Sequence, residues 1–196
     1  MTKRILLITL ITLIIVINVL FLITARCIYA GTTATIVLPV ETAKINGSFI
    51  TNPARIDNNS TLSWRLLFDD TQTESAAWQF RMPQNYFSGL TAKLLYSMVS
   101  TTTNKVDMEV EVMALTDGES DPDTASFGAV NEISGGTTVP TTLGKIDTIS
   151  ITLTNDDSVA ANDLVIIRVN RDHDDIDDTS ASDLELRAFS LEYTTN

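Results

Sequence analysis

The stretch VDMEVEVMAL, Val106 to Leu115, alternates in its first seven residues: Met108, Val110, Val112 and Ala114 fall on one side, Asp107, Glu109 and Glu111 on the other. A repeat of two residues matches the pleat of a strand, whereas a helix would scatter those acids around its circumference. One apolar and one polar face is what a half-buried antiparallel strand requires. The pattern returns along the chain. IDTISITLT points Ile149, Ile151 and Leu153 inward, and TLSWRLLF and AAWQFRM carry apolar and aromatic residues at alternate positions. LTAKLLYSMV follows a YFSG turn, and TATIVLPV places Pro39 at a strand end. DLVIIRVN is apolar on both faces, the mark of a central strand. DLELRAFSLEY alternates on Leu184, Leu186 and Ala188, then slips to Phe189, Leu191 and Tyr193, which predicts a bulge near Arg187–Ala188.

Polar segments rich in turn-forming residues separate these runs: INGS, DNNS, TDGESDPD, SGGTTVP, NDDSVAAND and RDHDDIDDTSASD. Eight to ten short strands joined in this way predict an all-β antiparallel sandwich of jelly-roll type. No long amphipathic helix follows residue 31. A short helical turn at Ser75–Ala77 is compatible with the pattern, and Ala30 to Thr35 reads as a stalk.

The first thirty residues are of another kind. Lys3 and Arg4 precede an uncharged run from Ile5 to Ala25, and Arg26 follows it. As a helix rising about 1.5 Å per residue, that run matches a hydrocarbon core about 30 Å thick. It exceeds the apolar region of a cleavable signal, and Ile28 is bulky for the position two before a cut after Ala30. We therefore expect residues 1–30 to be an uncleaved signal anchor, one transmembrane helix, with residues 5–25 in the bilayer. The positive-inside bias then makes residues 31–196 an extracytoplasmic domain, secreted if the segment is cleaved. Beyond residue 30 the chain has 10 basic against 25 acidic residues. Such a surface repels phosphate backbones, so a nucleic-acid partner is not expected. Cys27 is the sole cysteine, which excludes an internal disulfide; at the membrane edge it is a candidate for palmitoylation.

From Trp78 to Tyr193 the chain resembles a loose group of single-domain β-sandwich proteins of environmental phages and bacteria. The residues that carry the resemblance are MPQNYFSGLTAKLLYSMVSTTTNKV, then DGESDP and SFG, then NDLVIIRVNRDHDDIDDTSASDLELRAFSLEY. It implies a virion or surface structural part and is nearly silent on ligand.

Candidate chemistry concentrates in RDHDDIDDTSASD. Asp172, Asp174, Asp175, Asp177 and Asp178 offer the hard oxygen ligands that Ca²⁺ takes. An EF-hand frame from Asp172 fails, because Asp177 stands where glycine is required and Ile176 falls on a ligand position. The competing and favoured reading is structural: aspartates cap turns through backbone N–H groups, and Arg168 or Arg171 pairs with one of them to fix the connection. The acidic turn DGESDPD offers a second group that could share an ion. His173, the only histidine, stands among carboxylates with no nucleophile-elbow motif nearby, so no enzyme is expected. Aromatics at alternating strand positions, Trp64, Trp78 and Tyr96, are assigned to the core. Tyr86 and Phe87, in a turn beside Gly89, are the candidates for contact with a sugar. Asn46, Asn58 and Asn59 head glycosylation sequons.

The sequence thus points first to an outward-facing structural or adhesive β-sandwich of a cell envelope or a membrane-containing virion. Its expected partners are the bilayer and, through self-association or otherwise, surface or virion proteins, and no cofactor is required. The alternative is a glycan-binding module, with or without Ca²⁺, and the remote alternative a glycoside hydrolase.

Overall fold

Alternation becomes pairing in the computed structural model, which describes residues 31–45, 51–58, 61–100, 103–118 and 121–196. Thr33–Thr195 form one compact unit. The expected anchor, residues 5–25, and Cys27 lie outside the described residues. Among the described residues no helix is long and apolar enough to cross a membrane.

The chain runs through β1 (Thr33–Leu38), β2 (Lys44–Ile45), β3 (Thr51–Asn58), β4 (Thr61–Phe68), β5 (Glu74–Arg81) and β6 (Tyr86–Met98). It continues through β7 (Lys105–Val106), β8 (Met108–Leu115), β9 (Thr137–Thr138), β10 (Asp147–Leu153), β11 (Leu164–Arg171) and β12 (Leu184–Thr195). One sheet has the order β10-β6-β12-β4-β3, with β1 also on β12; the other has the order β2-β5-β11-β8. The first is called the terminal sheet below and the second the acidic sheet. All pairings are antiparallel, and β7 and β9 form a small ribbon of their own.

β12 organises the terminal sheet. It pairs with β6 along its length, while its other edge is shared: Leu184–Leu186 meet β4 and Phe189–Thr194 meet β1. The register against β6 shifts between Leu186 and Ala188. That is the bulge expected from the phase slip, and it lets Leu186 and Phe189 both face inward although three positions apart. Thr33–Thr35, expected as a stalk, are part of β1, where the β12 edge supplies partners for their backbone. Ser75–Ala77 lie in β5 rather than in a helical turn; a 3₁₀ turn occurs at Val40–Thr42, just after Pro39.

The inner faces meet as the alternation predicts. Leu90, Leu94 and Tyr96 of β6, Ile149 and Ile151 of β10, and Leu191 of β12 pack against Val110 and Val112 of β8 and Val165 and Ile167 of β11 in one cluster. Trp78 from one sheet and Phe189 from the other bring their ring centroids to 4.8 Å. Buried side chains of this size contribute about 1.5–3 kcal/mol each, so the interlayer is the main source of stability. Tyr96 and Trp78 are core residues as expected, whereas Trp64 is 46 % exposed. β11 lies between β5 and β8, the central place its two apolar faces predict.

Candidate binding face

The outward face of the acidic sheet carries the polar members of the alternation, and its register places them in rows. Ala77, Arg168 and Glu111 lie side by side across β5, β11 and β8; Gln79, Ile166 and Met113 form the next row. Over these rows runs a groove of ≈ 290 Å³, lined among others by Lys44, Ser75, Gln79, Met113, Ile166 and Phe127. Its lining combines apolar side chains with amide, hydroxyl and ammonium groups. Arg168 is held from two sides. Its Nε donates to Glu111 Oε2 at 2.7 Å, and its guanidinium carbon lies 4.3 Å from the centre of the Phe127 ring, a cation–π stack. Asn170 Nδ2 donates to the same Glu111 oxygen at 2.8 Å and to Glu109 Oε2 at 3.2 Å. Ordered side chains of this kind keep a groove in shape before any ligand enters.

Farther along β8 three carboxylates converge. Asp107 lies between β7 and β8, Glu109 is the second residue of β8, and Glu132 follows a one-residue bridge from Asn131 to Val110. Asn131 is 4 % exposed, and its side chain bonds the carbonyls of Val110 and Asn155 and the N–H of Asn155, so Glu132 leaves from a fixed point. One oxygen from each acid lies within 4.8 Å of the others. Asp107 is 2 % exposed, and its Oδ2 has no hydrogen-bond partner. Burial, then the charges of Glu132, Asp175, Glu109 and Asp178, push its carboxyl up to about 7. Glu109 is also raised, by burial first, against the Asn170 donor, which acts the other way. Among the described residues, no lysine or arginine forms an ion pair with Asp107, Glu109 or Glu132.

No protein-family model matches the sequence, and no curated protein matches it. Solved structures do. A family 30 carbohydrate-binding module superposes with a TM-score of 0.50 at 9 % identity, over 83 % of this chain and 99 % of that one. A family 35 carbohydrate-binding module from Cellvibrio japonicus gives 0.43 at 12 % identity, over 83 % and 99 %. A protein in the structure of infectious bursal disease virus gives 0.40 at 5 % identity, over 85 % of this chain and 32 % of that one. The fold is an antiparallel β-sandwich, and carbohydrate-binding modules are among its structural neighbours. At such identities the likeness is one of fold alone.

The stretch RDHDDIDDTSASD is a loop wrapped around its own first residue. Arg171 has no exposed surface. Its Nε and Nη2 donate to the two carboxylate oxygens of Asp178 at 2.8 and 3.0 Å. Its remaining donors reach the carbonyls of Ser180 at 2.9 Å, Ser182 at 2.8 Å and Phe68 at 3.3 Å. This is the expected arginine–aspartate network, made by Arg171; Arg168 turns to Glu111 instead. Asp172 Oδ1 accepts from the N–H of Asp174 and the hydroxyl of Thr73, and Asp175 Oδ1 accepts from the N–H of Asp177. Asp174 is exposed beside His173. Oxygens of Asp172 and Asp174 and a His173 nitrogen can gather within 4.8 Å, but Asp175, Asp177 and Asp178 are not part of that group.

Tyr86 and Phe87 begin β6, in the other sheet. Tyr86 is 7 % exposed with its ring 5.8 Å from that of Tyr193, while Phe87 is 67 % exposed. Of that pair only Phe87 presents its ring to solvent. Asn46 and Asn59 lie outside the described residues. The groove and the carboxylate corner use residues that the sequence reading treated as an ordinary polar strand face. The available signal was the series Asp107, Glu109, Glu111 itself: three acids in line on one strand, opposite Asn170 and Arg168 on the next.

Proposed function

We propose that the domain binds glycans without cleaving them, in the groove across β5, β11 and β8. A sugar ring offers an apolar C–H face edged by hydroxyls, so its site needs apolar floor and directional polar groups together. The observation that carries the reading is that the groove has both: Ala77, Ile166, Met113 and Phe127 line it together with Ser75, Gln79 and Lys44. The superposition on the family 30 carbohydrate-binding module, over almost all of that chain, supports it. Glycan binding is thereby preferred over a purely structural role. Membrane attachment through residues 5–25 remains part of the proposal, because a tethered lectin-like domain would present this groove outward from a cell envelope or a membrane-containing virion.

Probing the full chain against an array of oligosaccharides, followed by affinity titration with each retained glycan, tests this. Phe127→Ala and Gln79→Ala are each expected to weaken binding about tenfold or more, the effect of losing a contact worth roughly 1.4 kcal/mol, with little change in melting temperature. Retention of no glycan would overturn the proposal. So would binding that survives both groove variants but is lost in Phe87→Ala, which would move the contact to the start of β6.

A further inference from the structure

We propose that Asp107, Glu109 and Glu132 form a Ca²⁺ site, built on the outer corner of the acidic sheet from carboxylates that no lysine or arginine among the described residues pairs with. The inference is independent of the glycan reading. It stands on the conjunction of two observations. Three acids from two chain segments, Asp107 and Glu109 from one and Glu132 from the other, bring an oxygen each within 4.8 Å of one another, and one of them, Asp107, is 2 % exposed with Oδ2 unpartnered. A buried carboxylate normally has its oxygens bonded, because desolvation without a partner costs several kcal/mol. Here the surrounding backbone supplies nothing to that atom. The N–H of Asp107 itself donates to Asp178 Oδ2, and its carbonyl accepts from the N–H of Asp172. Lys105, two residues away, directs its ammonium to the carbonyl of Gly135.

The donor set bears on which ion. Ca²⁺ accepts about six to eight oxygens in flexible geometry, whereas Mg²⁺ demands a near-ideal octahedron and keeps several of its waters, so carboxylates borne by a strand and a loop suit the larger ion. Exposure is graded in a useful way: Asp107 is buried, Glu109 half-buried and Glu132 exposed, so the pocket of charge opens to solvent on one side, where waters can complete a shell.

The loop 133–136 closes the corner. Gly136, at φ +65°, turns back with its N–H on Ile133 O, and a Cβ there would meet the carbonyl oxygen of Asp177 at 2.8 Å. This glycine therefore lets the segment carrying Glu132 lie directly against the aspartate loop.

Thermal denaturation of the full chain, freed of metal with a chelator and then titrated with CaCl₂, with MgCl₂ and with NaCl at matched ionic strength, provides the test, together with calorimetric stoichiometry. One Ca²⁺ per chain and a melting-temperature rise of about 5–10 °C at a hundredfold excess over Kd are expected, with a smaller response to Mg²⁺. Asp107→Asn should melt no lower than wild type without Ca²⁺, since it removes an uncompensated buried charge, and yet lose the Ca²⁺ response. Glu132→Gln, at an exposed position that does not endanger folding, should weaken Ca²⁺ binding at least tenfold. The proposal fails if wild type shows no Ca²⁺-specific shift, if the shift persists undiminished in both variants, or if Asp172→Asn abolishes it while Glu132→Gln leaves it intact.

Discussion

Two sets of carboxylates adjoin in this domain and differ in everything but their chemistry. In the loop 171–183 five aspartates crowd into seven positions, and the fold answers most of them with donors: Arg171 for Asp178, backbone N–H groups for Asp172 and Asp175, open water for Asp174. Glu132 lies more than twenty positions after Asp107 and Glu109, and the fold brings the three together while leaving Oδ2 of the most buried one without a hydrogen-bond partner. Acid density along a chain measures turn formation and solvation. Acid density in space, after the available donors are subtracted, is what identifies demand for a cation. The first set was conspicuous in the sequence, and the second is conspicuous only in three dimensions.

The sharpest way to break this contrast is to remove the donor balance of the loop. Asp178→Ala leaves the Arg171 guanidinium, wholly buried, with carbonyls but no anion. Breaking a buried pair from one side costs about 3–5 kcal/mol, which for a domain of this size lowers the melting temperature by roughly 10 °C. Denaturant titration of the purified variant measures it. A loss below about 1 kcal/mol would mean that the carbonyls of Phe68, Ser180 and Ser182 suffice and that the loop is not organised by charge.

Glu74 is an intermediate case, buried like Asp107 but with a donor. It is 1 % exposed, its Oε2 accepts the N–H of Asp69 at 2.6 Å, and the charges nearby are Asp69, Asp183 and Arg171. Burial pushes both Glu74 and Asp183 up; Asp69 is lowered, chiefly by the Thr71 hydroxyl. A carboxyl raised in the folded state contributes stability that is fully present below its unfolded value, 4.5 for glutamate, and is lost as pH rises through the folded value. Glu74→Gln keeps the hydrogen-bond acceptor without the charge. It should therefore raise stability at pH 7–8 relative to wild type, with the gain fading toward pH 4, in denaturation curves taken across that range. A gain that is constant with pH would show that the effect is packing rather than charge.

The two-residue period was enough to read most of the architecture because one face of nearly every strand is buried. The bulge at Arg187 showed as a phase slip, the central place of β11 as a doubly apolar run, and the Arg171–Asp178 closure as a basic residue leading into an acidic loop. The binding face was not legible in this way. Alternation assigns Asp107, Glu109 and Glu111 to the outward side but cannot say that the connection 121–139 and the loop 172–178 fold over it, so a strand face expected to meet water holds a 2 % exposed aspartate. Phe127 gave no periodic signal, since it stands in an irregular segment where no period exists. Tyr86 and Phe87 showed the reverse problem: a turn beside glycine suggested shared exposure, and the Tyr193 ring covers one of the two.

The smallest expected effect tests the other half of the contrast. Asp174 is 82 % exposed at the side chain and lies 3.2 Å from His173 Nε2. Exposed pairs contribute about 0–1 kcal/mol, and no backbone donor depends on this carboxylate among the hydrogen bonds of the loop. Asp174→Asn should thus leave unfolding free energy within about 0.5 kcal/mol of wild type and leave the Ca²⁺ titration unchanged. If it instead removed the Ca²⁺ response, the exposed group of Asp172, His173 and Asp174 would be the cation site. The distinction between answered and unanswered carboxylates would then have pointed to the wrong set, since an ion can also be held where water alone competes for it.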